Sequence, residues 1–310
     1  MGRSRRWRQV GPTLVVAGAL ALPLAAVGAE HVGKPIGKIA FTANPAGLGP
    51  GDLYVVRADG SHLRQLTSNP VAEQGPTWAP DGKSIAYVRV TGKGALYRLF
   101  LRGGKPHLLF KETSSARGIM AGPAWSPDGR RIAFASARSG TWAIWTIALD
   151  GTLTQVTQAA GSNPTWSPNG RQLAYSGSTR PGRAAIFVVG LDGRGRRNVS
   201  HAAFDDSYPV WSPNGKWIAL RSLNRNWKEH EVDSLDIVNP AGTVRKRLLS
   251  GDGFTAPVAW SPASDAVLVS RHAFEGADQT AQLFVVPLGG GRPRPVSGTT
   301  GVLGGASWHR

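Results

Sequence analysis

The chain has 310 residues, a formal charge of +17, 41 % hydrophobic residues, 40 Gly, 22 Pro and no Cys. That apolar content can bury a large core and excludes a disordered chain, while the lack of Cys excludes a disulfide framework, a thiolate metal site and a lipidated Cys. The Gly and Pro content points to many turns between short elements.

In chain order, residues 1–29 come first. Arg3, Arg5, Arg6 and Arg8 precede an apolar stretch from Leu14 to Val27, and Val27-Gly28-Ala29 offers small residues for cleavage. This is the layout of a secretory signal peptide, which predicts export and a mature N-terminus at Glu30. The alternative is an uncleaved anchor helix, for which the apolar core is short. Ser4-Arg5-Arg6-Trp7 resembles the start of a twin-arginine signal, but Arg8 and Gln9 stand where apolar residues belong, so the export route stays open. Residues 30–37 read as a linker.

From residue 38 the sequence repeats. Trp78-Ala79-Pro80-Asp81-Gly82 recurs as Trp125-Ser126-Pro127-Asp128-Gly129, Trp166-Ser167-Pro168-Asn169-Gly170, Trp211-Ser212-Pro213-Asn214-Gly215 and Trp260-Ser261-Pro262, with Trp308 near the end. Successive Trp lie 47, 41, 45, 49 and 48 residues apart, a period that signals a propeller or solenoid. Pro at the second turn position and Gly at the fourth predict a hairpin. Each turn leads into an alternating apolar run such as Ser84-Ile85-Ala86-Tyr87-Val88 or Arg131-Ile132-Ala133-Phe134. A third strand follows (Leu53 to Val56, Ile144 to Ile147, Leu283 to Val286), then a Gly turn and a short fourth strand such as Gln65-Leu66-Thr67. Four strands per period make a blade.

The first repeat begins at Lys38-Ile39-Ala40-Phe41, which matches a second strand, and no Trp turn precedes it. Its missing first strand is Gly305 to Trp308. The predicted fold is therefore all-β: a six-bladed β-propeller over residues 38–310, with four antiparallel strands per blade and a ring closed by the C-terminal strand joining the N-terminal blade. The Trp column, Trp78, Trp125, Trp166, Trp211, Trp260 and Trp308, is expected between blades.

The repeated Trp-Ser-Pro-Asp-Gly turn, the Ile-Ala-Tyr or Ile-Ala-Phe strand, the Asp-Gly turn and the Leu66-Thr67 ending resemble the TolB-type propeller repeat. The resemblance covers residues 38–310 and differs from the TolB protein in having no N-terminal α/β domain before the first blade. It implies a periplasmic or extracytoplasmic protein that binds other proteins through the propeller. No cofactor is expected, and the chain is expected to be a monomer.

Catalytic signatures are missing: there is no Gly-x-Ser-x-Gly, no His-Glu-x-x-His and no phosphate-cradling Gly-x-x-x-x-Gly-Lys-Ser/Thr run, and the seven His are scattered. The stereotyped turns mark one inert face, and the opposite face carries irregular segments, where function concentrates on a rigid scaffold. Candidate binding residues there are Asp205, Asp206, Arg225, Trp227, Glu229, His230, Glu231 and His272. The partner is expected to be a protein or an anionic envelope polymer, not a nucleic acid, with membrane contact only through the signal or an uncleaved anchor. A second possibility is a channel-mouth enzyme, a metal-assisted lyase or hydrolase of an anionic polysaccharide, using His201, Asp205, Asp206, His230 and His272. The cations Arg64, Lys105, Arg194, Arg196, Arg197, Arg245, Lys246, Arg247, Arg292 and Arg294 fall on fourth strands and the turns before them. They read as edge protection against strand pairing, with a cationic rim for anionic polymers as the alternative.

Overall fold

Turn chemistry sets the architecture. The computed structural model describes residues 35–44, 50–113, 122–180, 183–201, 205–224, 232–251, 255–272 and 281–310, so the predicted signal and most of the linker lie outside the described residues. In the second Trp motif, Gly129 sits at φ 68° and its N–H donates to Ser126 O at 2.9 Å. Asp128 Oδ1 accepts from Arg130 N at 3.0 Å and Ser126 Oγ from Arg131 N at 2.9 Å, closing the turn that Pro127 presets. Asn169 and Asn214 do the same for Arg171 N and Lys216 N, each at 3.0 Å.

The turns separate strands in groups of four. In the closing group β1 is Lys38–Ala43, β2 Asp52–Arg57 and β3 Arg64–Gln65. Next come β4 Glu73–Trp78, β5 Ser84–Arg89, β6 Ala95–Phe100 and β7 His107–Lys111, then β8 Ala124–Trp125, β9 Arg131–Ser136, β10 Ala143–Ala148 and β11 Leu153–Gln155. They are followed by β12 Gly161–Trp166, β13 Gln172–Arg180, β14 Arg183–Gly190 and β15 Arg197–Asn198, and by β16 Asp205–Trp211, β17 Ile218–Asn224, β18 Val232–Val238 and β19 Arg245–Gly251. Last are β20 Thr255–Trp260, β21 Ala266–His272, β22 Ala281–Pro287, β23 Arg294–Pro295 and β24 Val302–His309.

Each run from β4 to β19 forms a four-stranded sheet in sequence order. The other strands form one eight-stranded sheet, in which β20–β23 and the set β24-β1-β2-β3 meet through the single pair Ala281↔Val302. The result is an all-β propeller, with no helix among the described residues. The fourth strands are sheet edges, as their charge implied.

The core lies between neighbouring sheets. Trp125 packs with Ile132 and Phe134 of its own sheet and with Ala86, Val88 and Leu96 of the preceding one. Trp211 does the same against Ile186 and Val188, and Trp78 against Ala40 and Val55. Trp166 Nε1 donates to Ala124 O at 2.9 Å and Trp260 Nε1 to Val210 O at 2.8 Å, which aligns the indoles while their rings are buried.

β24 pairs with β1 from Lys38↔His309 and Ile39↔Trp308 onwards, so the C-terminal strand supplies what the first repeat lacks. Trp308 departs from its column: it is only half-buried, with Nε1 donating to Ile36 O at 2.9 Å. His309 compensates in part by stacking on Trp78 at 5.4 Å. Burial holds the His309 imidazole below its ordinary value of 6.5, with Asp81 opposing and Lys38 reinforcing the shift.

Trp260→Ala should destabilise by about 3–5 kcal/mol, the range for a buried Trp, and Trp308→Ala by clearly less; paired urea melts check the ranking. Because the folded state disfavours the His309 proton, the unfolded chain binds it more strongly, and stability should fall as pH drops through the range below 6.5. A His309→Phe variant should lose that part of the pH dependence in thermal melts at a series of pH values.

Candidate functional site

The first strands β4, β8, β12, β16, β20 and β24 line an axial channel with a cavity of about 790 Å³. Their walls are set by bulges. Register shifts occur between Gln74 and Thr77, Ser162 and Thr165, and Ser207 and Val210, each releasing an extra residue toward the axis. The residue before the strand Pro takes a positive φ at Gly75 (60°), Gly122 (113°), Asn163 (52°) and Tyr208 (54°), as does Gly305 (70°) before Ala306 in β24. Gly and Asn accept that conformation readily, but a bulky aromatic there is an outlier. At Gly75 an added Cβ would lie 2.7 Å from Gly122 N, so the neighbouring wall leaves no room for a side chain. Tyr208 breaks the pattern: it is 39 % exposed, lines the channel, and its N–H donates to Ser176 Oγ at 3.1 Å.

The rest of the wall is uncharged. Pro76, Pro123, Pro164 and Pro209 alternate with the motif Trp and with small residues, and no Asp, Glu, Lys, Arg or His occurs in it among the described residues. Ser270 also lines the cavity, with its Oγ buried and without a hydrogen-bond partner. A surface of this kind can bury apolar groups and stack a phenol ring, but it holds no acid–base pair among the described residues. Tyr208 was not among the candidates drawn from the sequence. The signal available was a bulky residue before Pro209 where Gly75 and Gly122 precede Pro76 and Pro123.

The structure gives the predicted residues different settings. Asp206, expected on the exposed irregular face, is fully buried in β16, and its carboxylate accepts from Arg245 Nη1 and Nη2 at 2.8 and 3.1 Å. Arg245, expected on an outer edge, turns inward and also meets Asp236 at 2.8 Å, which in turn takes Arg247 Nε at 3.1 Å. Burial works against the Arg245 charge, but the bonds to Asp206 and the charges of both carboxylates outweigh it and hold the guanidinium above its ordinary value. Two cations thus face two buried carboxylates, which makes this a structural network. Asp205 is half-buried and its Oδ1 accepts from Ala184 N at 3.2 Å. His201 is exposed, at φ 44°, beside Gly242. His272 ends β21 opposite Ala281. Arg225, Trp227, Glu229, His230 and Glu231 lie outside the described residues.

Asp206→Ala leaves Arg245 short of a buried partner and should destabilise by about 3–5 kcal/mol, read from denaturant melts. Asp205→Ala should cost far less.

The comparisons with known proteins agree with this geometry. The family model described as the TolB beta propeller domain matches residues 109–310. No protein of curated function matches the sequence. Among solved structures, TolB from Acinetobacter baumannii superposes with a TM-score of 0.70 at 21 % identity, covering 89 % of this chain and 67 % of that one. A protein assigned as TolB from Agrobacterium tumefaciens gives 0.66 at 21 % identity, covering 87 % and 92 %. Oligogalacturonate lyase from Vibrio parahaemolyticus gives 0.58 at 13 % identity, covering 84 % and 74 %. At such identities the superpositions speak for the fold, and with a family model that spans more than half of the sequence, the chain belongs to the TolB beta propeller domain family.

Proposed function

We propose that the protein is an exported, non-catalytic binding module that holds a partner protein at the channel mouth and the adjoining irregular loops. In this reading each group of four strands is one blade, six in all, and the N-terminal 29 residues direct export to the periplasm or cell exterior. The observation that carries it is the channel wall, where Pro, Trp and small side chains surround one exposed, strained Tyr208 and one unpartnered hydroxyl. Apolar walls with a few polar groups are what ligand and peptide sites are built from. Strain of about 1–3 kcal/mol at a bulky residue of positive φ is retained where the surroundings over-determine it, and it clusters at binding sites. Trp227 and Arg225 belong to the same proposal on sequence grounds, since interface hot spots favour Trp and Arg.

A channel-mouth enzyme is the second reading, favoured by the likeness to oligogalacturonate lyase. It fits the chain less well: among the described residues no three His, Asp or Glu group closely enough to hold a metal ion, and Asp206 is committed to Arg245. An anionic polymer in the channel would also find no cation in the described wall.

The test is capture from an envelope extract with the exported protein as bait, compared with a Tyr208→Gly variant. Loss of capture with an unchanged or raised melting temperature is expected, because Gly relieves the backbone strain while removing the ring. Trp227→Ala with Arg225→Ala should weaken capture by about 30-fold or more, corresponding to ~2 kcal/mol. Capture that survives all three changes would end the channel-mouth reading.

A further inference from the structure

In an antiparallel meander the first-to-second and third-to-fourth turns share one end, so the stereotyped turns of all the sheets share one face of the propeller. They touch in succession: Pro80 Cδ lies 3.7 Å from the place a Cβ would take on Gly129, and Pro127 Cδ and Pro168 Cγ each 3.8 Å from the same place on Gly170 and Gly215. From sequence this face looked inert.

Its charge is unbalanced. In β12–β15 and β16–β19 the turns and strand starts on this face expose Arg171, Arg194, Arg197, Lys216 and Lys246. In β8–β11, by contrast, the turn carboxylates Asp128 and Asp150 match Arg130 and Arg131, Asp128 while accepting from Arg130 N. In these two sheets the same bonds are made by the neutral amides of Asn169, Asn214 and Asn239. An Asx turn needs only the Oδ1 acceptor, so Asn keeps the geometry and withholds the charge. Asp192 is the one exposed carboxylate left in the described turns of the two sheets. The cations are held in place: Arg197 Nη2 donates to Pro240 O of the next sheet at 3.1 Å, and Lys246 Nζ sits 5.3 Å from the Trp217 ring.

Apolar side chains stand on the same face. Leu63 (47 % exposed), Leu149 (46 %) and Val244 (40 %) occupy turn tips there, Leu63 next in sequence to Arg64, Leu149 bonded through its N–H to Arg130 O, and Val244 two residues before Lys246. Ile36, 57 % exposed, stands where the chain enters β1 beside Lys38, on the same face. The apolar stretch 14–27 precedes that entry point in sequence.

We propose that the turn face docks on an anionic phospholipid surface, with the cations against the head groups and Leu63, Leu149 and Val244 entering the interface. An acidic polysaccharide or a nucleic acid would pair with the cations but would bury none of the apolar tips, whereas a bilayer interface takes both. Docked this way, the propeller turns its irregular loops away from the membrane.

The test is co-sedimentation of the exported protein, as recovered from cells, with vesicles of phosphatidylcholine and of phosphatidylcholine mixed with phosphatidylglycerol. Binding is expected to the mixed vesicles alone and should weaken with salt. Replacing Arg171, Arg194 and Lys216 together by Gln should lower it on the order of 100-fold, about fivefold per cation. Leu63→Ser with Val244→Ser should remove the binding that persists at high salt. All five positions are exposed, and thermal melts verify that the variants fold. Equal binding to both vesicle types, no loss in the triple variant, or binding to soluble polygalacturonate or heparin without binding to vesicles would overturn the proposal.

Discussion

The structure depends on one contact repeated around an axis, an indole inserted between two sheets. Each sheet buries one face against its predecessor and the other against its successor, so none has a complete core alone. The Trp is placed by the turn that follows it, because the Ser, Pro and Asp or Asn of that turn fix where the strand must end. Local turn chemistry and long-range packing therefore select the same residues, and that agreement lets a chain without disulfides specify one ring.

This agreement also explains which parts of the molecule were legible in the sequence. Turn, strand and indole recur at a readable period, and the absence of a Trp turn before Lys38 was enough to send Trp308 back to β1. The bulges left a fainter trace, since a residue ahead of Pro209 signals a left-handed conformation only when it is set beside Gly75 and Asn163. The network of Asp206, Arg245 and Asp236 left none. Asp206 and Arg245 are 39 residues apart and belong to the first and last strands of one sheet, so neither shows in sequence that the other will neutralise it. A buried carboxylate and a solvated one look alike until the partner is placed.

The same scaffold yields two unlike faces. At the channel, one side chain of the wrong size for its backbone gives an otherwise uniform wall a single feature. At the turns, the choice between Asp and Asn leaves the backbone unchanged and alters only the field outside it. The two devices act independently, because strain is confined to a bulge while charge is carried by groups that touch solvent.

The pairing of β24 with β1 has a consequence in time. The hydrogen bond from Trp308 to Ile36 spans 272 residues, and the partners of Lys38 and Ile39, His309 and Trp308, are made long after them. Until then β1 has a partner on one side only, and a long apolar strand with a free edge is a template for pairing with other chains. Closure is also the contact with the largest loop entropy to overcome, so it should come late and slowly. The chain must keep that edge from its neighbours until β24 has been made, and Lys38, exposed at the start of β1, is the charge that guards the interval.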